Sequence, residues 1–397
     1  MEDPVTEQYD ILIVGAGNAG ISLAAKLARE GAGRIGVADG TQLHRYRPML
    51  NYAAGGQADM AAFERPMRAV IPYGVKWIPD HVVAVDAEER TAVTSTGLTV
   101  GFRHLVLCPG LTPWWGAIDG LREAYGAGWA ASAHVPEYVD SARRLLAGVA
   151  AGDRVVANVP PEPSSCGGTV LKALFLACAA WERAGILGDV DVHLVTPYAR
   201  ILDRPTIDDA LAAAAAEYGI HVHAGAEVTA VDHEAHEVVL STGERIDDVA
   251  AAYVTPVVRA PEFITEAGLE DGGDAGLVAV DPETLQHRAH PHVWALGDAA
   301  ALDTRPSGGA LRKQVKVIAK NIQAADAGKP FQKYDGYTVI PVMVSRDELV
   351  LDEHVRDGSE DRSIPGVDVT KPRKSLAAFD RFGQPRIYWH RLLKGKV

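Results

Sequence analysis

Gly15, Gly17 and Gly20 fall at G-x-G-x-x-G spacing in the run Gly15-Ala16-Gly17-Asn18-Ala19-Gly20, and Asp39 follows about 24 residues after the first of them. This set suits a dinucleotide. Gly15 permits a tight turn, Gly17 lets backbone approach a pyrophosphate, and Gly20 lets a helix pack on the preceding strand. The N-H groups of that helix start, with Asn18 and Ala19 in the turn, face the phosphates, and Asp39 accepts from ribose hydroxyls. Cys166 is the second chemical feature, in the loop Pro160-Pro161-Glu162-Pro163-Ser164-Ser165-Cys166-Gly167-Gly168. Redox or nucleophilic sulfur chemistry needs a thiolate. A cysteine just ahead of a helix start is expected to have its pKa lowered by the helix dipole. Cys108 ends an apolar strand and Cys178 lies in an Ala- and Leu-rich helix, so both read as packing residues.

These residues imply the elements that hold them. Tyr9 to Val14 is a short apolar strand running into the glycine turn, Ile21 to Glu30 has helical periodicity, and Arg34 to Ala38 is a second strand ending at Asp39. A strand pair is expected at Val75 to Val85 and Ala92 to Val100, with Thr96-Gly97 as a turn. After Leu105 to Gly110 the pattern loosens, and a domain boundary is expected close to Ala150. A second strand-loop-helix unit then follows: a strand at Arg154 to Pro160, a helix from about Thr169 to Ala184, a strand at Val190 to Val195 and a helix at Ala210 to Tyr218. His292 to Leu296 returns to strand character before Gly297-Asp298, and Gly308 to Ala325 looks helical. The fold class is therefore α/β, with two Rossmann-like dinucleotide-binding domains and a small C-terminal α+β unit. The expected division is 1–115 with 286–330, then 151–260, then 331–397.

Composition narrows the function. A chain of 397 residues with 47% hydrophobic content can bury a core in each of several domains. The formal charge of -13 excludes a nucleic-acid binder, which needs clustered Lys and Arg. One basic stretch departs from this, Lys371 to Val397, with eight Lys or Arg and a single acid, Asp380. Three cysteines are too few and too unevenly spaced for a disulfide scaffold or a zinc site, so no metal is expected and a reducing cytoplasm fits best. The acidic start lacks the pattern of a signal peptide, and no window approaches about 18 consecutive apolar residues.

The run His292-Val293-Trp294-Ala295-Leu296-Gly297-Asp298 resembles the motif by which two-dinucleotide-domain flavoproteins bring an aspartate to the ribityl chain of FAD. FAD is the cofactor this resemblance implies. Leu105 to Pro113, with Gly110, is similar to the marker where such chains cross between domains. Relatives that use NAD(P)H carry a second G-x-G-x-x-G in the middle domain, whereas here Pro160, Pro161 and Pro163 remove N-H donors from the corresponding loop. With Tyr46-Arg47-Pro48, the proline loop before Cys166-Gly167-Gly168 and Lys333-Tyr334-Asp335-Gly336-Tyr337-Thr338 in family order, the chain resembles the sulfide:quinone oxidoreductases over most of residues 9–395. The resemblance makes Cys166 the redox thiol on the flavin, with a reduced sulfur substrate and a quinone or other electron acceptor as partners. It also makes the helix after Gly297-Asp298, with Gln314, part of the flavin and quinone pocket.

Two departures stand beside it. The family's second redox cysteine is replaced by Ile340, so a cysteine pair across the flavin is absent, and either a low-molecular-weight thiol resolves Cys166 or the substrate is not sulfide. The amphipathic helices that end the family are not matched. The basic tail leaves open a peripheral contact with the inner face of the plasma membrane, or a tail packed on the FAD domain through Trp389. The sequence also leaves a homodimer open. Two other readings remain: a type II NADH:quinone dehydrogenase, weakened by the missing glycine motif, and an FAD protein of low turnover that lost its second cysteine.

Overall fold

The computed structural model describes residues 7–364 and 366–396, so the acidic start over residues 1–6 lies outside the described residues. Its first layer is a seven-stranded sheet. Ile11, Leu12, Ile13 and Val14 are almost fully buried, as a strand covered on both faces requires. This strand, Glu7–Val14, runs parallel to Ile35–Ala38 on one side and to Thr99–Leu107 on the other. Thr99–Leu107 shares its free edge between two partners. Val293–Ala295 lies parallel to one end and Thr91–Thr94 antiparallel to the other, so the segment before Gly297-Asp298 ends beside the glycine turn. The helix Asn18–Arg29 packs against the helix Leu311–Ala327.

The expected strand Val75 to Val85 is instead two strands that break at Pro79-Asp80. Val75–Ile78 joins Ile35–Ala38 in parallel, whereas Val82–Asp86 pairs antiparallel with Thr91–Thr94. The cause is local: Asp80 accepts from the backbone N-H of His81 and of Thr96, and so fixes a turn. The Thr96-Gly97 turn falls between Thr91–Thr94 and Thr99–Leu107, with Gly97 at φ +86°.

The middle unit is a four-stranded parallel sheet in the order His221–Ala224, Asp191–Thr196, Arg154–Asn158, Val249–Tyr253. The helix Val170–Ala184 is buried along most of its length against it. The boundary expected near Ala150 does not coincide with a break in packing. Ile118, Leu121 and Tyr125 pack with Val156 and Val228, and Val139, Ala142 and Leu146 join the core around Val155. The amphipathic helix Val139–Ala147 needs a sheet face for its apolar stripe, and the middle sheet supplies it. The chain crosses earlier, where Thr112–Pro113 pairs antiparallel with the return crossing Val258–Arg259.

The C-terminal hairpin, Thr338–Met343 against Leu349–His354, wedges between the two units. Ile340 and Val342 bury in the middle core, whereas Met343, Leu349, Leu376, Tyr388 and Leu392 bury in the first. The helices Lys374–Ala378 and Gln384–His390 are joined by a π-helical stretch, Phe379–Gly383. Among the described residues no helix is long and apolar enough to cross a membrane.

Candidate active site

A cleft of about 410 Å³ opens where the glycine turn, the Gly297-Asp298 turn, the Cys166 loop and the C-terminal helices meet. Its wall holds Gly17, Asn18, Ala19, Asp39, Gly110, Cys166, Gly297 and Asp298, so most of the residues singled out from the sequence are brought together. Three do not line it. Gly15 and Gly20 lie behind the wall, and Gln314 is buried beneath the Gly297 turn.

The glycines divide the work. Gly15 sits at φ +102°, and a Cβ there would meet the Cys108 carbonyl oxygen at 2.3 Å. A Cβ on Gly20 would meet the Gly15 carbonyl oxygen at 1.9 Å, so both positions are dictated by backbone against backbone. Gly17 differs: nothing lies within 4 Å of a Cβ built there, which leaves the start of Asn18–Arg29 open to a ligand. Asp39 accepts from the Ala16 N-H at 2.7 Å and the Thr41 N-H at 2.8 Å, so its carboxylate both closes the turn and faces the cleft. Gln314 accepts from the Gly297 N-H at 2.9 Å and donates to the Tyr334 hydroxyl at 3.3 Å. It therefore holds the turn from behind.

Asp298 is enclosed, and burial raises its carboxyl pKa against the opposing pull of a Ser165 hydrogen bond and the Arg47 guanidinium. A carboxylate in a cleft wall is poised to accept from hydroxyls.

Cys166 adopts a left-handed conformation, φ 59° and ψ 55°, ahead of the short turn Gly167–Thr169 that leads into Val170–Ala184. The expected lowering of its thiol pKa is not what the structure gives. Burial pushes it up to about 12, with the Lys172 ammonium pulling down and the carboxylates of Asp298, Glu162 and Asp380 pushing further up. The physical reason is that the α-helix proper begins only at Val170, and desolvation outweighs its dipole. Cys108 and Cys178 are buried, and burial raises both thiols as well.

The proline loop keeps few donors. The Ser164 N-H goes to the Glu162 carboxylate at 2.9 Å and the Cys166 N-H to the Ser164 carbonyl at 2.7 Å, which leaves little with which to cradle a phosphate. On the hairpin strand, Val339 and Pro341 line the cleft while Ile340 turns into the middle core. A Cβ on Gly168 would lie 2.9 Å from the Ile340 side chain, so that side chain packs over the Cys166 turn.

Several wall residues carried no mark in the sequence reading. His134 is enclosed, and burial with the nearby Arg47 charge lowers its pKa to about 3, so it stands as neutral imidazole with Nε2 3.2 Å from Thr169 Oγ1. Asn51 donates to Thr169 Oγ1 at 3.4 Å, and its own Oδ1 is buried without a partner. Lys172 is 1% exposed and pairs with Asp380 at 2.6 Å. Its one available signal was a lone lysine in an otherwise apolar helix.

Residues 9–327 match the pyridine nucleotide-disulphide oxidoreductase family, and the chain belongs to it. Members of this family are FAD-binding flavoproteins, and the open Gly17 cradle, the Asp39 carboxylate and the Asp298 carboxylate in the cleft wall fit that cofactor. The mitochondrial sulfide:quinone oxidoreductase of Mus musculus is 27% identical over 98% of this chain and 87% of its own length. Two solved structures share the fold. A chain of the mitochondrial ATP synthase of Tetrahymena thermophila has a TM-score of 0.82 at 19% identity, covering 100% of this chain and 98% of that one. The sulfide:quinone oxidoreductase of Aquifex aeolicus has a TM-score of 0.79 at 16% identity, covering 98% and 92%.

Proposed function

We propose that this FAD-dependent oxidoreductase oxidises sulfide or a related reduced sulfur species at Cys166 and passes the electrons to a quinone. The observation that carries the reading is the Cys166 thiol in the same cleft wall as the Asp298 turn and the open helix start at Gly17. The names of full-length relatives support the sulfur substrate and the quinone.

The bound FAD supplies a two-electron acceptor that can be reoxidised by a quinone. The chain's residues do the rest. Gly17 and the N-H groups of the helix start would receive the pyrophosphate, Asp39 would accept from the adenosine ribose, and Asp298 would accept from the ribityl hydroxyls. At Cys166 a hydrosulfide and the thiol join: Cys-SH and HS⁻ give Cys-S-SH, one proton and two electrons, for which FAD held in this cleft would be the acceptor. With Ile340 in place of a second cysteine, a small thiol outside the chain takes the outer sulfur and returns Cys166 to Cys-SH. Leu376, Phe379, Ile387 and Leu392 give the cleft an apolar end suited to a quinone ring. Phe379 and Phe382, 41% and 57% exposed, with the Arg381 guanidinium over the Phe382 ring, suit a peripheral contact with an anionic lipid surface.

Anaerobic sulfide should bleach the yellow protein and a soluble quinone analogue should restore it, with Cys166→Ala losing at least about a hundredfold in bleaching rate, as expected when a nucleophile is removed. Bleaching that proceeds equally in Cys166→Ala and Cys166→Ser would make the cysteine structural and overturn the reading. NADH is expected to bleach poorly, because the proline loop lacks phosphate donors. Rapid NADH bleaching would instead favour an NADH:quinone dehydrogenase, and no bleaching by any reductant a protein of low turnover.

A further inference from the structure

Lys172, 1% exposed, and Asp380, whose side chain is 12% exposed, form an ion pair at the cleft, and its two halves lie 208 residues apart in the chain. Lys172 belongs to the helix that follows Cys166, and its ammonium contacts Asp380 Oδ2 at 2.6 Å. The same carboxylate oxygen accepts from the Tyr52 hydroxyl at 2.7 Å. The ammonium also lies 5.2 Å from the centre of the Tyr52 ring. Asp380 sits in the π-helical stretch of the C-terminal segment, a local widening of the helix that often marks a functional position.

Lys172 and Asp380 line the cleft together with Cys166. Cys166, Thr169 and Lys172 follow at three-residue steps around the start of one helix, with Thr169 Oγ1 donating to the Cys166 carbonyl at 2.8 Å. Burying an ion pair is costly and adds little net stability over apolar residues of similar size. A reason for this pair therefore belongs with the cleft it lines beside Cys166.

We infer that the Lys172–Asp380 pair is a positioning device that sets the acidity of the Cys166 thiol, Lys172 favouring the thiolate and Asp380 restraining it. The Lys172 ammonium is held by the Asp380 carboxylate in the cleft wall that also carries Cys166, so removing the Asp380 charge leaves the cation free to act on the sulfur across the cleft. The proton leaves to solvent in the cleft. Lys172 is the principal cation opposing the effect of burial on that thiol, and Asp380 is one of the carboxylates that reinforce it. Because Asp380 belongs to the C-terminal segment, movement of that segment and ionisation of the thiol are coupled.

The inference deepens the proposed role of Cys166, but its test uses no sulfide, so the two can fail separately. Alkylation of Cys166 by iodoacetamide in the FAD-loaded protein, followed across pH 6–10 by peptide mass spectrometry, reports the thiolate fraction, with buried Cys108 and Cys178 as internal controls. Lys172→Met should slow alkylation at pH 8 by about tenfold, the equivalent of one pKa unit, and Asp380→Asn should speed it by a similar factor. Lys172→Arg should stay near the wild type. Opposite displacements in Lys172→Met and Asp380→Asn support the inference, and Asp380→Asn alone decides it if Lys172→Met does not fold. Profiles that coincide with the wild type, or that move in the same direction in both variants, overturn it.

Discussion

The glycines of one motif have two different physical reasons, backbone crowding at Gly15 and Gly20 and an open approach at Gly17, and substitution separates them. Gly20→Ala sets a Cβ 1.9 Å from a backbone oxygen, and nothing flexible can yield. It should cost more than about 2 kcal/mol, as strain in a packed core does, and abolish FAD binding with it. Gly17→Ala has open space around it, so its melting temperature without cofactor should stay within about 1 °C of wild type while FAD affinity falls at least tenfold, a difference readable by flavin titration. Asp298 works in the opposite sense. Its carboxyl pKa is raised in the fold by burial, so the folded state holds a proton where the unfolded chain does not, and stability falls as pH rises through that range. Asp298→Asn should therefore raise the apoprotein's melting temperature at pH 7 by about 1–2 °C, lose that gain as pH drops below about 4, and bind FAD more weakly. The motif residues were legible because their types are restricted by geometry. The thiol acidity of Cys166 was not, because desolvation depends on everything that surrounds the sulfur.

At the scale of the elements, strands and helices with strong apolar periodicity could be read from sequence to within a few residues, as with Glu7–Val14, Val170–Ala184 and Asp191–Thr196. Val75 to Val85 could not, since its break depends on where the Asp80 carboxylate finds backbone donors across a turn. The helix after Cys166 also illustrates a limit: its lone lysine acquires meaning only through Asp380, some 208 residues away. Lys172→Met should destabilise the protein by about 1–3 kcal/mol, because the partly buried Asp380 carboxylate keeps only the Tyr52 hydroxyl as a partner. The double variant Lys172→Met with Asp380→Asn should recover part of that loss in chemical denaturation, and a loss equal to the sum of the two single variants would show that the pair is not coupled.

For the whole molecule, the unforeseen feature is how the C-terminal segment joins the two cores. Tyr388 contacts the buried His44 side chain, whose Nδ1 donates to the Ala16 carbonyl of the glycine turn at 2.9 Å. Trp389 stacks edge-on against His44 and lies under the Arg65 guanidinium. Gly395 is seated so close to the first helix that a Cβ would meet the Ala25 carbonyl oxygen at 2.6 Å. Of the two arrangements the sequence left for the tail, packing through Trp389 is present. Ending the chain after Gly383 should expose Tyr46 and Met49, and the purified protein should lose FAD on dilution far faster than wild type. Equal retention would show that the tail does not guard the cleft.

The paired crossings Thr112–Pro113 and Val258–Arg259 bear on how anything enters that cleft. Because the outgoing and returning strands clasp each other, with the Trp114 N-H on the Val257 carbonyl at 2.8 Å, the joint behaves as a two-ply strap rather than as a pair of loose tethers. Twisting the halves apart would have to tear those hydrogen bonds. Traffic in and out is thus expected to use the C-terminal arm as its door, leaving the strap as the fixed side of the frame.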